Sequence, residues 1–169
     1  MQKVGLIMGS KSDFEIVEEC IKTLKIFDIE CDVIISSAHR TPEQTINWAK
    51  NAKSNGISVI VAFAGAAAHL AGVIASKTNI PVIAVPIAAT TLGGLDSLLS
   101  TVQMPGGIPV ATMAIGKAGA KNAAIFSAQI IGNQDESVYK KLEDYRLDMV
   151  KKIEADNASV QELINSKYK

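Results

Sequence analysis

The 169-residue chain contains two histidines and two arginines, and one of each, His39 and Arg40, stand side by side in "SSAHRTPEQT", Ser36 to Thr45. A histidine titrates near neutral pH, so His39 suits general acid and base work. The chain meets its other cationic needs with fifteen lysines, and an arginine in such a loop suggests the planar, bidentate fork that recognises phosphate. Taken alone, the pair reads as readily as a solvated histidine beside an arginine on a surface carboxylate. Two other segments carry compatible residues. "GSKSD", Gly9 to Asp13, sets a glycine turn and the hydroxyls of Ser10 and Ser12 at a helix start, where unpaired N–H groups and the helix dipole favour an anion. Asp13 would repel a phosphate touching it but accepts two hydroxyl hydrogen bonds well, which suits a ribose diol. "AGAAAHL", Ala64 to Leu70, surrounds His69 with small residues that let a ligand approach the backbone. Each has a bland alternative: a capped turn without a ligand, and tight packing around a hydrogen-bonded core histidine.

Such residues need elements to hold them. Apolar runs at 4–8, 31–35, 59–64, 81–87 and 109–115 have strand length and almost no charge, as strands buried on both faces should. Helical patterns separate them. Val17, Cys20, Ile21 and Leu24 recur at helical spacing behind "SDFE", a capping box with Ser12 as cap and Glu15 three residues on. Thr41-Pro42-Glu43-Gln44 repeats the device, with proline at the first helical position. Further helices follow in "AAHLAGVIASKT", "DSLLSTVQ" and "GAKNAAIFSAQIIG". The alternation predicts one α/β domain, a three-layer, flavodoxin-like parallel sheet with helices on both faces over 1–132, and a C-terminal helical extension over 133–169. Ligands of such sheets collect at the carboxyl ends of the strands, near the point where strand order reverses. "MGSKSD", "SSAHRTP", "AGAAAHL" and "PIAATTLGGLDS" all fall at such ends. In the extension, Val138, Leu142, Tyr145 and Met149 form an apolar seam in a charged helix, which reads as a contact between subunits.

Composition excludes several classes. Lys+Arg 17 against Asp+Glu 17 gives no net charge, which removes the electrostatic case for nucleic acid or an anionic membrane surface. Cys20 and Cys31 have no spacing suited to zinc or a disulfide framework, and buried reduced thiols are expected. No apolar run approaches the length of a membrane span, and none reads as a signal peptide. A cytoplasmic protein is the expectation. Neither G-x-G-x-x-G nor G-x-x-x-x-G-K-[ST] occurs, against a dinucleotide and against ATP.

Together, "MGSKSD", "SAHRTP", "AGAAAHL", "TTLGGLDSLLSTVQMPGGIPVAT" and "IGKAGAKNAA" resemble the carboxyaminoimidazole ribonucleotide mutase family of purine biosynthesis, in order from about Val4 to Gly132. The resemblance implies an isomerase that moves a carboxylate from the exocyclic amine (N5) of an imidazole ribonucleotide to ring carbon C4, with no metal, ATP or organic cofactor. It implies His39 as acid and base, Ser10 and Asp13 as contacts to the ribonucleotide, and Arg40 on its phosphate. Ser12, Ser37, Ala38, Gly65 and His69 would line the pocket, with the Ala66–Ala68 wall and the loop Gln103 to Gly107 excluding water. Relatives that carboxylate aminoimidazole ribonucleotide with free carbon dioxide typically read "SAHKGP" in this loop, so "SAHRTP" favours the mutase. Some members have glycine where this chain has Ala66, and the added methyl either tightens a carbon dioxide pocket or stiffens the turn. A homo-octamer and a functional link to the carbamate-forming synthetase complete what the resemblance implies. A flavodoxin-like nucleotide-binding module stays open as a rival, although aromatic residues are 5% of the chain and absent from the four rim loops.

Overall fold

A computed structural model describes residues 2–168. Strand β1 (Lys3–Met8) leads through one 3-10 turn, Lys11–Asp13, into helix α1 (Phe14–Ile26). There follow β2 (Glu30–Ile35), α2 (Pro42–Asn51), β3 (Ile57–Gly65), α3 (Leu70–Ala75), β4 (Val82–Ile87) and α4 (Leu95–Val102). The chain ends with β5 (Ala111–Thr112), α5 (Lys117–Gly132) and α6 (Glu136–Tyr168). All strand pairs are parallel, in the order β2-β1-β3-β4-β5, which is the flavodoxin-like order.

The two-residue period of a strand sends alternate side chains to opposite faces, and here it builds two cores. Val4, Leu6 and Met8 of β1, Val59, Val61 and Phe63 of β3, and Ile83 and Val85 of β4 join residues of α1 and α5 on one face. Ile7, Ile60, Ala62, Val82 and Ala84 meet α2 and α3 on the other. Burial on both faces explains why β1, β3 and β4 read as continuous apolar runs. Gly5 lacks a side chain because the ring of Trp48 occupies the space: a Cβ there would lie 2.8 Å from Trp48 Cη2.

Four expectations are corrected. The edge strand β2 is not buried on both faces; Val33 and Ile35 are exposed along it. The run 109–115 pairs as a strand only at Ala111 and Thr112, because Pro109 has no N–H to donate and the chain beyond touches β4 only through Met113 N–H on Ala84 O and Gly116 N–H on Pro86 O. The first capping box lies two residues early: Ser10 N–H donates to Asp13 Oδ2 and Ser12 N–H to Ser10 Oγ, while Glu15 pairs with Lys117. Thr41 does not cap α2; its hydroxyl accepts from Ser37 N–H at 2.9 Å. Cys20 is buried and Cys31 half-buried, both free.

The seam in α6 is also reassigned. Val138 and Leu142 are buried in this chain's own core with α1 and α5, and Tyr145 packs edge-on to Phe27 at 5.5 Å between ring centroids. Only Met149 of the four is left uncovered. From Arg146 to Tyr168 every residue of α6 is exposed.

Candidate active site

The strand order sets the site. β1 lies between β2 and β3, so the loops that leave the carboxyl ends of these three strands are neighbours, at the place where the chain's direction of travel across the sheet reverses. They enclose a cleft of about 320 Å³. Ser10 and Asp13 come from the first loop, Ser37, Ala38, His39 and Arg40 from the second, and Gly65 and His69 from the third. Ser12 is the exception among the residues singled out above. It does not line the cleft itself; its hydroxyl proton is shared between Ser10 Oγ at 2.9 Å and Asp13 Oδ1 at 3.3 Å, so it braces its two neighbours. A second lobe of about 350 Å³ adjoins the first. Gly9, Ser10, Ser37 and Arg40 line both lobes, and Lys11, Thr41 and Gln44 line only the second.

Histidines thirty residues apart in sequence meet here. His39 Nε2 lies 3.0 Å from His69 Nδ1, with the rings close to perpendicular. His69 is therefore on the cleft wall and exposed, not a core histidine. Arg40 Nη2 donates to Gly9 O at 2.7 Å, and among the described residues it forms no ion pair, so its remaining donors are uncommitted at the junction of the lobes. Asp13 is almost fully buried. Burial pushes its carboxyl above the usual range, while the Ser12 hydroxyl, Ser10 N–H and Arg40 pull it back. A carboxylate has about four acceptor sites, so two remain for a ligand hydroxyl pair.

The small residues of the third loop do two different jobs. Gly65 is required by its own fold: a Cβ there would lie 2.5 Å from Ala89 Cβ and 3.2 Å from Ile87 O. Ala66 and Ala67 line the cleft, and Ala66 adopts φ +53, a left-handed backbone that a side chain resists. The methyl of Ala66 thus belongs to a strained turn on the cleft wall. Ser100 of α4 holds this turn, accepting from Ala68 N–H and sharing its hydroxyl proton between Ala66 O and Ser97 O, and Thr101 shares its own between Ala68 O and Ser97 O. Ala68 is buried behind the wall. The loop Gln103 to Gly107 does not line the cleft within this chain; Met104 packs over Gly72 of α3. Of the fourth rim segment only Ala89 reaches the cleft.

Sequence reading missed Ser100, Thr101, Lys11 and Gln44. For the first two a signal existed, since Ser97, Ser100 and Thr101 share one face of the otherwise apolar helix "LDSLLSTV". Among the described residues no group of three or more His, Cys, Asp or Glu could hold a metal ion.

The chain is similar in sequence and in fold to known proteins. The family model described as AIR carboxylase matches residues 3–152. A protein from Thermotoga maritima named N5-carboxyaminoimidazole ribonucleotide mutase is 48% identical over 153 residues, covering 90% of this chain and 88% of its own length. One of the same name from Pyrococcus abyssi is 49% identical over 168 residues, 99% of this chain and 95% of its own. A crystal structure of Treponema denticola PurE superposes with a TM-score of 0.86 at 28% identity, covering 94% of this chain and 98% of that one. With the family model spanning most of its length and relatives near half identity along almost all of it, the chain belongs to the AIR carboxylase family.

Proposed function

We propose that this chain is an N5-carboxyaminoimidazole ribonucleotide mutase, an isomerase that shifts a carboxylate from the exocyclic nitrogen to C4 of the imidazole ring in purine biosynthesis. The observation that carries the reading is the convergence of His39, Asp13 and Arg40 on one cleft in a chain 48% identical to a relative of that name. Arg40, at the junction with the lobe that Lys11 lines, meets the phosphate. Asp13 and Ser10 take the ribose hydroxyls, and Ser37, Ala38, Gly65 and His69 surround the base. The chemistry follows from the carbamate. His39 gives a proton to the carbamate nitrogen, the N–C bond breaks, and carbon dioxide and the neutral amine result. The enamine-like C4 then attacks carbon dioxide, and removal of the C4 proton restores the aromatic ring. One histidine serves both steps because it ends the cycle in the form in which it began. Ala66 and Ala67 form the apolar wall where carbon dioxide waits.

Assembly is part of the same proposal. Leu95, Leu99 and Val102 form an exposed stripe on α4, and the uncovered part of α6 adds Val150, Ile153, Val160 and Ile164. Exposed apolar stripes mark interfaces, and these cover copies of the chain in the homo-octamer that the family resemblance implies. Among the described residues no helix is long and apolar enough to cross a membrane. A cytoplasmic enzyme, functionally linked to the synthetase that makes the carbamate, completes the reading.

Ultraviolet monitoring tests it. After exhaustive chelation and without nucleotide, the protein should interconvert the two carboxylated isomers, and His39→Asn should lower that rate by about 100- to 10,000-fold, the usual worth of acid–base catalysis, while ribonucleotide affinity is retained. Conversion of aminoimidazole ribonucleotide with bicarbonate, but not of the carbamate, would favour the carboxylation that the family's description names. Full activity in His39→Asn would refute the acid–base assignment.

A further inference from the structure

His39 and His69 are the chain's only histidines, and their 3.0 Å contact joins two ring nitrogens. Such a contact is a hydrogen bond only when one nitrogen carries a proton and the other is bare. Among the described residues no carboxylate shares in it. Asp13, the one acid on the cleft wall, accepts from Ser10 N–H and the Ser12 hydroxyl. The other charged group on that wall is Arg40, and Lys11 lines the adjoining lobe. What orients the acid–base histidine is thus a second imidazole, where a carboxylate commonly holds that place.

Resting on the mutase reading, we propose that His69 is a positioning residue for the reaction: its Nδ1 accepts the Nε2–H of His39, fixes that ring's tautomer and angle, and leaves His39 Nδ1 as the nitrogen that exchanges a proton with the substrate. The proton count selects this direction. In the loaded state His39 carries protons on both nitrogens and His69 carries one on Nε2. Transfer of the Nδ1 proton to the carbamate nitrogen leaves His39 neutral only if the shared proton stays on Nε2; on His69 it would leave an imidazolate. Return of the C4 proton to Nδ1 restores the cation.

Because the chain has only these two histidines, two-bond proton–nitrogen correlation spectra of nitrogen-15-labelled protein report on them alone. In their neutral forms both rings should show Nε2–H and a bare Nδ1. A neutral His39 in the Nδ1–H form would overturn the proposal. Kinetics supply a second readout. His69→Leu should lower kcat by roughly 100-fold with little change in KM, the upper scale for losing the partner that orients a functional histidine. His69→Asn, whose side-chain oxygen can stand near the place of Nδ1, should recover about tenfold of that loss. Equal impairment of the two variants would assign His69 a direct contact with substrate and end the positioning role. Wild-type protein without mutase turnover would count against the function reading alone, since the spectra need no substrate.

Discussion

Helices α1 and α4 both lie between a strand end and the next strand, yet they face the protein in opposite senses. α1 turns Val17, Cys20 and Leu24 inward. α4 buries Ser97 and Thr101 and leaves Leu95, Leu99 and Val102 in the open. The inward hydroxyls are all engaged: that of Ser97 is shared between Ile87 O, at the end of β4, and Gly94 O, both at 2.9 Å, and that of Thr101 between Ser97 O at 2.7 Å and Ala68 O, beneath the cleft wall, at 3.2 Å. α1 therefore stabilises through apolar burial, whereas α4 ties the rim of the site to the sheet and leaves its apolar stripe exposed. Amphipathic spacing reveals that a helix has an apolar side; it does not say which side its own domain will take.

Substitution can break this contrast. Leu24→Ala should cost about 2–5 kcal/mol, the range for truncating a buried leucine, in denaturant unfolding of monomeric protein, and Leu99→Ala in the same experiment should stay within about 0.5 kcal/mol, as surface changes do. Comparable losses at the two positions would mean that α4 buries its leucine in its own domain after all. A finer cut concerns the tie itself. Thr101→Val removes the donor to Ala68 O and should cost about 1–2 kcal/mol, with turnover falling further than global stability because the turn at Ala66 loosens; unchanged turnover would show that the tie does not serve the site. Smallest is Ala66→Gly, which relieves the left-handed backbone and should raise stability by about 1 kcal/mol. A drop in melting temperature there would mean that the methyl contributes more by contact than it costs in strain.

Much of the arrangement was legible in the chain, for physical reasons that also explain the misses. The runs in β1, β3 and β4 are apolar throughout because helices cover both faces, and the rim followed from strand–helix alternation. β2 carries an apolar run too, but as an edge strand it packs only Cys31 and Ile34 against the two cores and exposes Val33 and Ile35. "SKSDFE" contains two overlapping capping boxes, Ser10 to Asp13 and Ser12 to Glu15, and only the backbone decides between them. The seam from Val138 to Tyr145 was visible as a stripe, while its cover combines the neighbouring α5 with α1 from the other end of the chain. At the site, residue types suggested an acid–base group and an anion ligand, but the contact of His39 with His69 depends on β1 lying between β2 and β3, a long-range fact that no local pattern holds.

The close approach of Gly65 to Ala89 also bears on how this cleft can change over generations. A methyl at 65 would collide with the one at 89, at 2.5 Å, so the order of replacement matters. Ala89→Gly opens the space first and makes a side chain at 65 a milder change, whereas the reverse order passes through an intermediate that must displace the end of β4. The two positions form an epistatic pair with one accessible path. In the adjoining lobe no such order is imposed on Lys11 and Gln44, which stand exposed.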